Sequence, residues 1–409
     1  MSTEIILIVV SSLILVSYLF DMFSGRTRLP PVVLLILSGL GLRLLSNWTG
    51  YVIPYLEYVL APLGTIGLIL IVLEAGLDLE LKLEKAAVIR ASALSAAAGL
   101  LLCLFGIAGF FTALFGAPWH QALVNALPFA VISSAIAIPG SRLLSEPRRE
   151  FLTYESSFSD ILGILVFNFL LANSSFGPGA WFSFLFEIFV TLLLSIAFSL
   201  GLTALVERVS HQVKHLPVFA ILLLVYATAK LMHFSPLILV LVFGLFLNNI
   251  SLFIRGNLRF YFDLGKLGTE VAQFKSVISE TTFVIKTFFF VLLGYSADIP
   301  RLLDRGALAV VLPVLLLAYA SRALPLRLLL PRPAAAALTY VAPRGLITIL
   351  LFLGVPREMR IQLIPDSVLL WAVLLSSLVM TWGVLKHAGD APDPEPASPS
   401  SGQPPAAGR

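Results

Sequence analysis

The chain is a succession of long apolar runs separated by short polar loops. Runs long enough to cross a bilayer, or nearly so, cover Thr3–Phe20, Pro30–Leu45, Tyr58–Leu77, Ala91–Phe115, Gln121–Ile138, Phe151–Ala172, Trp181–Val206, Pro217–Met232, Pro236–Leu247, Ser279–Tyr295, Gly306–Leu330, Ala335–Leu353 and Ser367–Val384. A helix needs roughly 20 residues to cross about 30 Å of hydrocarbon. Lipid offers no partner to backbone N–H and C=O groups, so such runs are helices unless they alternate like barrel strands, and they do not alternate. The pattern predicts an all-α membrane protein with about 13 transmembrane helices. The eighth and ninth runs are separated only by His233, Phe234 and Ser235, so merging them is the alternative. Thr3–Phe20 has no basic segment before it and no small-residue cleavage pattern after it, and reads as an uncleaved first span. The segment Ser251–Ile278 is polar enough to lie along the inner surface as an amphipathic linker helix. Residues 389–409, rich in Pro, Ala and Ser, read as a disordered tail, which leaves 1–388 as one transmembrane domain.

Composition narrows the class. Hydrophobic residues make up 58% of the 409 and charged residues 12%, against roughly 45–50% and about 25% in soluble domains. That excludes a water-soluble enzyme, a secreted disulfide scaffold and a disordered chain. The one cysteine, Cys103, lies in an apolar run and reads as packing. The net charge of +4 invites nucleic acid as a partner, but the basic residues sit in short loops. With the N-terminus outside, 17 of the 27 Lys and Arg fall in inner loops and 6 in outer loops. The positive-inside rule accounts for that bias without nucleic acid and places the C-terminus in the cytoplasm of a cell (inner) membrane. The five histidines fall at loops or span ends and read as solvated. No metal cluster, nucleotide loop or nucleophile–base spacing is present, so neither an enzyme nor a cofactor is expected.

Charge inside a span is expensive and functional by default. Glu74, Glu155 and Asp160 are the acids, and Lys286, Arg322 and Arg344 the bases. Three acids facing three bases can neutralise one another within a bundle, and holding helices together is the simpler role for each. Asp160, Lys286 and Arg322 nevertheless share a depth. At 1.5 Å per residue Asp160 lies roughly 13 Å into its helix, near the midplane where transporter sites belong. Two spans are interrupted at matching places. The fifth ends in Ser133-Ser134-Ala135-Ile136-Ala137-Ile138-Pro139-Gly140, and the twelfth carries Val341-Ala342-Pro343-Arg344-Gly345. If helices 1–6 and 8–13 are inverted repeats, these are the fifth members of each half, and paired broken helices point to a binding site. An alkali cation wants several oxygen ligands. Asp160, the hydroxyls of Ser133, Ser134 and Ser159, and carbonyls freed by unwinding supply them. A carboxylate there holds either a proton or a cation, and mutually exclusive occupancy couples the two fluxes.

These residues resemble the monovalent cation/proton antiporters, the family of the sodium/proton exchangers. The resemblance is carried by Arg28-Leu29-Pro30-Pro31-Val32-Val33 with a following Ser38-Gly39-Leu40-Gly41, by Leu73-Glu74-Ala75-Gly76-Leu77, by Glu155-Ser156-Ser157-Phe158-Ser159-Asp160, by Phe288–Gly294 and by Arg344-Gly345-Leu346, in order and at the corresponding spans. It implies that Asp160 binds cation and proton, that Glu155 and Arg344 form a structural pair, and that Arg322 is the basic residue of the eleventh span. It assigns no role to Lys286. The chain departs from the family pattern at Ser159, where an Asn or Asp is usual, and at Ser133-Ser134-Ala135, where Thr-Asp-Pro is common. The fold implied is a two-part inverted repeat with core helices roughly at 58–172 and 279–384, a scaffold beside them, and a homodimer. The activity implied is exchange of Na⁺ or K⁺ for H⁺. A cation channel, with the same acids lining a pore, and a sodium-coupled symporter of organic anions, with Arg344 as anion site, are the rival readings.

Overall fold

The computed structural model describes residues 11–20, 22, 30–50, 56–174, 177–208, 215–231, 236–250, 264–302, 305–365 and 367–387, and its regular structure among them is helical throughout. In chain order the helices are α1 (Ser11–Phe20), α2 (Pro31–Thr49), α3 (Leu56–Asp78), α4 (Ala86–Phe115), α5 (Trp119–Ala130), α6 (Ser134–Gly140), α7 (Glu146–Ala172), α8 (Pro178–Arg208), α9 (His215–Leu231), α10 (Pro236–Asn248), α11 (Leu264–Ser296), α12 (Arg305–Leu329), α13 (Arg332–Thr339), α14 (Leu346–Gly354) and α15 (Ser367–His387). Eight stretches of the described residues are long and apolar enough to span a membrane, α5 and α6 counting as one, and shorter apolar helices accompany them.

Polarity is distributed as lipid demands. Leu101, Leu102 and Phe105 of α4 and Phe182, Leu185, Phe186 and Phe189 of α8 are exposed. Side chains such as Ser92, Ser95, Glu155, Asp160, Arg322 and Arg344 are buried. On a water-soluble surface so much contiguous apolar area would drive association; against acyl chains it is the stable arrangement. Helix ends obey local rules. α2 and α4 stop at Gly50 and Gly116, the glycines with positive φ (70° and 64°), and the N–H of Gly116 closes the last turn on Thr112 O.

Several sequence expectations need correction. The segment 264–278 is not a separate surface helix. It is the first half of α11, which runs unbroken for 33 residues because neither Pro nor Gly interrupts it between Thr269 and Leu293. The separation of the eighth and ninth runs needs no correction: they are two helices, α9 and α10, packed together. The break in the fifth span falls at Val131–Ser133, at the leading edge of the expected stretch 133–140, and Pro139 sits inside α6. Residues 1–10 of the first run, 251–263 of the linker and the whole 389–409 tail lie outside the described residues.

The helices pack as two groups. In one, α4 lies against α5, α7 and α12, and α12 against α13 and α15. In the other, α2 and α3 pack on α11, α3 also packs on α10, and α10 on α8 and α9. α14 bridges them, touching α3 on one side and α5, α7 and α15 on the other. Without a hydrophobic drive between helices in lipid, close backbone approach supplies the packing energy, and small residues permit it. At the α2–α11 crossing Gly39 faces Gly294; a Cβ at Gly39 would lie 2.1 Å from Val291 O, backbone that has no room to give. Gly76 of α3 and Gly244 of α10 meet in the same way.

Gly39→Ala is therefore expected to lower the apparent melting temperature in detergent, with an overpacking penalty of about 1–3 kcal/mol. Gly41→Ala on the same helix, where an added Cβ meets nothing within 4 Å, should leave it unchanged or raised. Equal melting temperatures for the two variants would remove the close-packing argument.

Candidate functional site

The site is built where two interrupted helices meet. α5 stops at Ala130 and α6 restarts at Ser134, with Val131 and Ser133 extended between them (ψ 134° and 114°). Residues 340–345 likewise separate α13 from α14. Unwinding frees amides that the bilayer cannot hydrate. Their partners come from other parts of the chain. Ser133 N–H donates to Pro343 O (3.0 Å), joining the two breaks directly. Ile132 N–H donates to Ser159 Oγ (2.9 Å) on α7, and Arg344 N–H to Ser376 Oγ (2.8 Å) on α15. Gly345 N–H bonds Thr348 Oγ1 (3.3 Å). The crossing is tight: a Cβ at Gly345 would stand 2.5 Å from Ser133 Oγ and 2.8 Å from Ile136 Cδ1, so glycine is required there.

Asp160 of α7 reaches this crossing and is 3% exposed. Its Oδ2 accepts two bonds from the first residue of α6, from Ser134 Oγ (2.5 Å) and Ser134 N–H (3.2 Å). Its Oδ1 is buried without a hydrogen-bond partner. The guanidinium of Arg344, 2% exposed, lies at the other end of the break, where Nη1 donates to Val131 O (2.7 Å) just past the C-terminus of α5. The carboxylate thus sits at a helix N-terminus and the guanidinium at a helix C-terminus, each meeting the complementary end of the helix dipole.

The expected pairing of Glu155 with Arg344 is not what forms. Glu155 is bound by Arg322 Nη2 (2.6 Å) and by Ser95 Oγ (2.7 Å), with both charged side chains at most 3% exposed. Arg322 Nε also donates to Leu338 O (3.0 Å) at the end of α13. The reason is helix order: α12, carrying Arg322, packs on α4 beside α7, whereas Arg344 is drawn to the carbonyl that the α5 break exposes. Lys286 and Glu74 form a second pair, 2.8 Å apart and about one-fifth exposed each, between α11 and α3.

Two adjoining cavities flank that pair. One, about 530 Å³, is lined by Glu74, Asp78, Ser134, Arg142, Arg149, Thr153 and Lys286 among others. The other, about 270 Å³, shares Glu74, Ala135, Pro139, Arg142 and Lys286 with it. Ser134 therefore has one side on a cavity wall and its hydroxyl on Asp160. Of the sequence-predicted residues, the structure brings Asp160 and Ser134 into direct contact and Ser133 into the crossing. Ser159 holds the break open by accepting from Ile132 rather than bonding Asp160 in the hydrogen bonds observed. Ser95 and Ser376 escaped the sequence reading. Serines that anchor a buried carboxylate or cap a freed amide look like any other small residue in an apolar helix; the spacing of Ser92 and Ser95, one α4 face toward α7, was the available signal.

Comparison with known proteins places this geometry. The family described as sodium/hydrogen exchanger, transmembrane, matches residues 10–386. A solved structure of the sodium proton antiporter MjNhaP1 from Methanocaldococcus jannaschii at pH 8 superposes with a TM-score of 0.70 at 20% sequence identity, covering 95% of this chain and 100% of that one. An electron-microscopy structure of the same antiporter gives a TM-score of 0.65 at 18% identity, over 96% and 100% of the two chains. Both matches speak for the fold. No curated protein sequence matches the chain.

The Glu155–Arg322 geometry generates a double-mutant test. Removing one partner of a buried pair strands the other, at about 3–5 kcal/mol. Glu155→Gln is thus expected to reduce folded yield sharply and Glu155→Gln with Arg322→Met to recover part of it. Combination with Arg344→Met should be simply additive, within about 0.5 kcal/mol. Strong coupling of Glu155 to Arg344, and none to Arg322, would refute the assignment.

Proposed function

The chain belongs to the sodium/hydrogen exchanger family, and from that premise we propose that it exchanges a monovalent cation, sodium first and potassium second, for a proton by alternating access, with Asp160 holding one or the other. The observation that carries the reading is the state of the Asp160 carboxylate. It is buried at the crossing of two broken helices, one oxygen is fixed by Ser134, and the other is left open. A buried carboxylate with an unused oxygen is costly unless something shares its charge. A proton or an alkali ion does so equally well, and the two cannot be present together.

The access route supports the same reading. The larger cavity is lined by Ser134 and by Asp78, Arg142 and Arg149. The positive-inside distribution assigns these residues to the cytoplasmic side, so this is an inward-facing state with the N-terminus outside and the C-terminus in the cytoplasm of the cell membrane. The bridge between the two helix groups, through α14, contacts of α7 with α3 and α10, and the bonds Trp371 Nε1 to Leu302 O and Tyr154 OH to Glu80 O, suits a group that carries the crossing past a group that stays fixed. The homodimer belongs to the proposal on the strength of the family. The rival symporter needs an anion site at Arg344, whose Nη1 is held by Val131 O while its Nε is buried without a partner.

Stoichiometry follows from the charges. Glu74 is neutralised by Lys286 and Glu155 by Arg322. Asp160 is then the carboxylate left to swap one proton for one monovalent cation, and the charges cancel. Arg322 and Arg344 stay protonated and add no further proton.

Asp160→Asn keeps the shape of the site but cannot titrate; it is expected to abolish cation-driven proton flux in reconstituted vesicles while eluting as a folded protein. Persistent flux under Na⁺, K⁺ or Li⁺ pulses would take Asp160 out of the cycle. The wild-type rate is expected to be indifferent to an imposed membrane potential. A rate that follows the voltage would require a second titrating group.

A further inference from the structure

Three serines on α7 lie within four residues of Asp160, and their hydroxyls have different fates. Ser156 Oγ donates back to Leu152 O (2.8 Å). Ser159 Oγ accepts from Ile132 N–H. Ser157 is fully buried, and its hydroxyl has no hydrogen-bond partner. A buried, unsatisfied hydroxyl in a helix is destabilising, and it ordinarily turns back onto the carbonyl four residues earlier. That the open oxygen of Asp160 lies on the same helix three residues further on is the second half of the observation.

Position adds a direction. Arg149 and Thr153 line the larger cavity. Ser157 follows Thr153 by four residues and precedes Asp160 by three, and residues three and four apart on a helix share a face. One stripe of α7 thus runs from the cavity wall at Arg149 and Thr153, past Ser157, to Asp160. The two residues that carry the unsatisfied oxygens are three apart on that stripe, beyond the point where the cavity wall ends.

We propose that Ser157 is a ligand of the transported cation, its Oγ joining Asp160 Oδ1 in the ion's shell and receiving the ion from the cavity side. The assignment rests on the reading of Asp160 as the exchange site. It gives the chain an oxygen donor in a site whose family positions at 133–135 and 159 are here filled by Ser133-Ser134-Ala135 and Ser159. A neutral hydroxyl adds affinity without adding a titratable group, so it tunes cation selection and leaves the charge balance alone.

The test is cation-dependent proton flux in vesicles at fixed pH, with Na⁺ and Li⁺ titrated separately, for Ser157→Ala, Ser157→Cys and Ser157→Thr. Losing one oxygen ligand to a charge should raise the half-saturating Na⁺ concentration roughly tenfold. Ser157→Ala and Ser157→Cys should both show it, since sulfur is a poor ligand for a hard cation, and both should change the Li⁺-to-Na⁺ ratio. Ser157→Thr keeps the oxygen and should stay near the wild-type constant. If the Ala and Cys variants keep the wild-type constant and ratio while Asp160→Asn is silent, the Ser157 assignment is wrong and the exchange site stands. If Asp160→Asn still exchanges, the reading beneath both fails. Should the Ala variant not fold, the Cys variant, closest in size to serine, decides alone.

Discussion

Every amide taken out of a helix inside a bilayer has to find a partner in the protein, and this one requirement shapes the centre of the molecule. The breaks at 131–133 and 340–345 free amides that lipid cannot satisfy. They are met by Pro343 O, Ser159 Oγ, Ser376 Oγ, Thr348 Oγ1 and the carboxylate of Asp160. Apart from Thr348, three residues on in α14, each partner comes from an element that must already be in place: α7, α15 or the opposite break. Neither interrupted span is stable alone, and the crossing exists only as a finished assembly.

Charge follows the same logic. Breaking a helix creates two new dipole ends in a medium that screens poorly. Asp160 sits at the new N-terminus and Arg344 at the new C-terminus, so the crossing carries its own compensation. Arg322 and Glu155 pin α12 to α7 nearby, with Ser95 tying in α4. Once α4, α7 and α12 are fixed around it, the Asp160 carboxylate is held on one side by Ser134 and left open on the other. The asymmetry of the carboxylate, one oxygen anchored and one without a partner, follows from how the break is satisfied.

Away from the crossing, the helices of the second group approach so closely at Gly39–Gly294 and Gly76–Gly244 that backbone meets backbone. The proposed alternating access needs one body to shift against another, and close glycine packing of this kind makes the second group a firm one.

The sequence by itself determined the solvent the chain is built for, the helical class, the approximate spans and the residues whose charge had to matter. Apolar run length and the expense of an intramembrane charge are local properties, and Asp160, Glu155, Arg322 and Lys286 stood out on them alone. The family was legible too, since its motifs are short and lie in order. Tertiary structure decided the partners. Two arginines of equal chemistry were available to Glu155, and only the packing of α12 beside α4 and α7 selects Arg322. Lys286 acquired its role when α11 brought it against Glu74 on α3. The interrupted stretch of the fifth span reads as 133–140, where Pro139 is the local helix breaker, yet the helix opens at Val131–Ser133. There the amides are satisfied from Ser159 and from Pro343, 210 residues along the chain from Ser133. A run of Val, Ile and Ser carries no mark of that, because what unwinds it is the partner waiting on another helix.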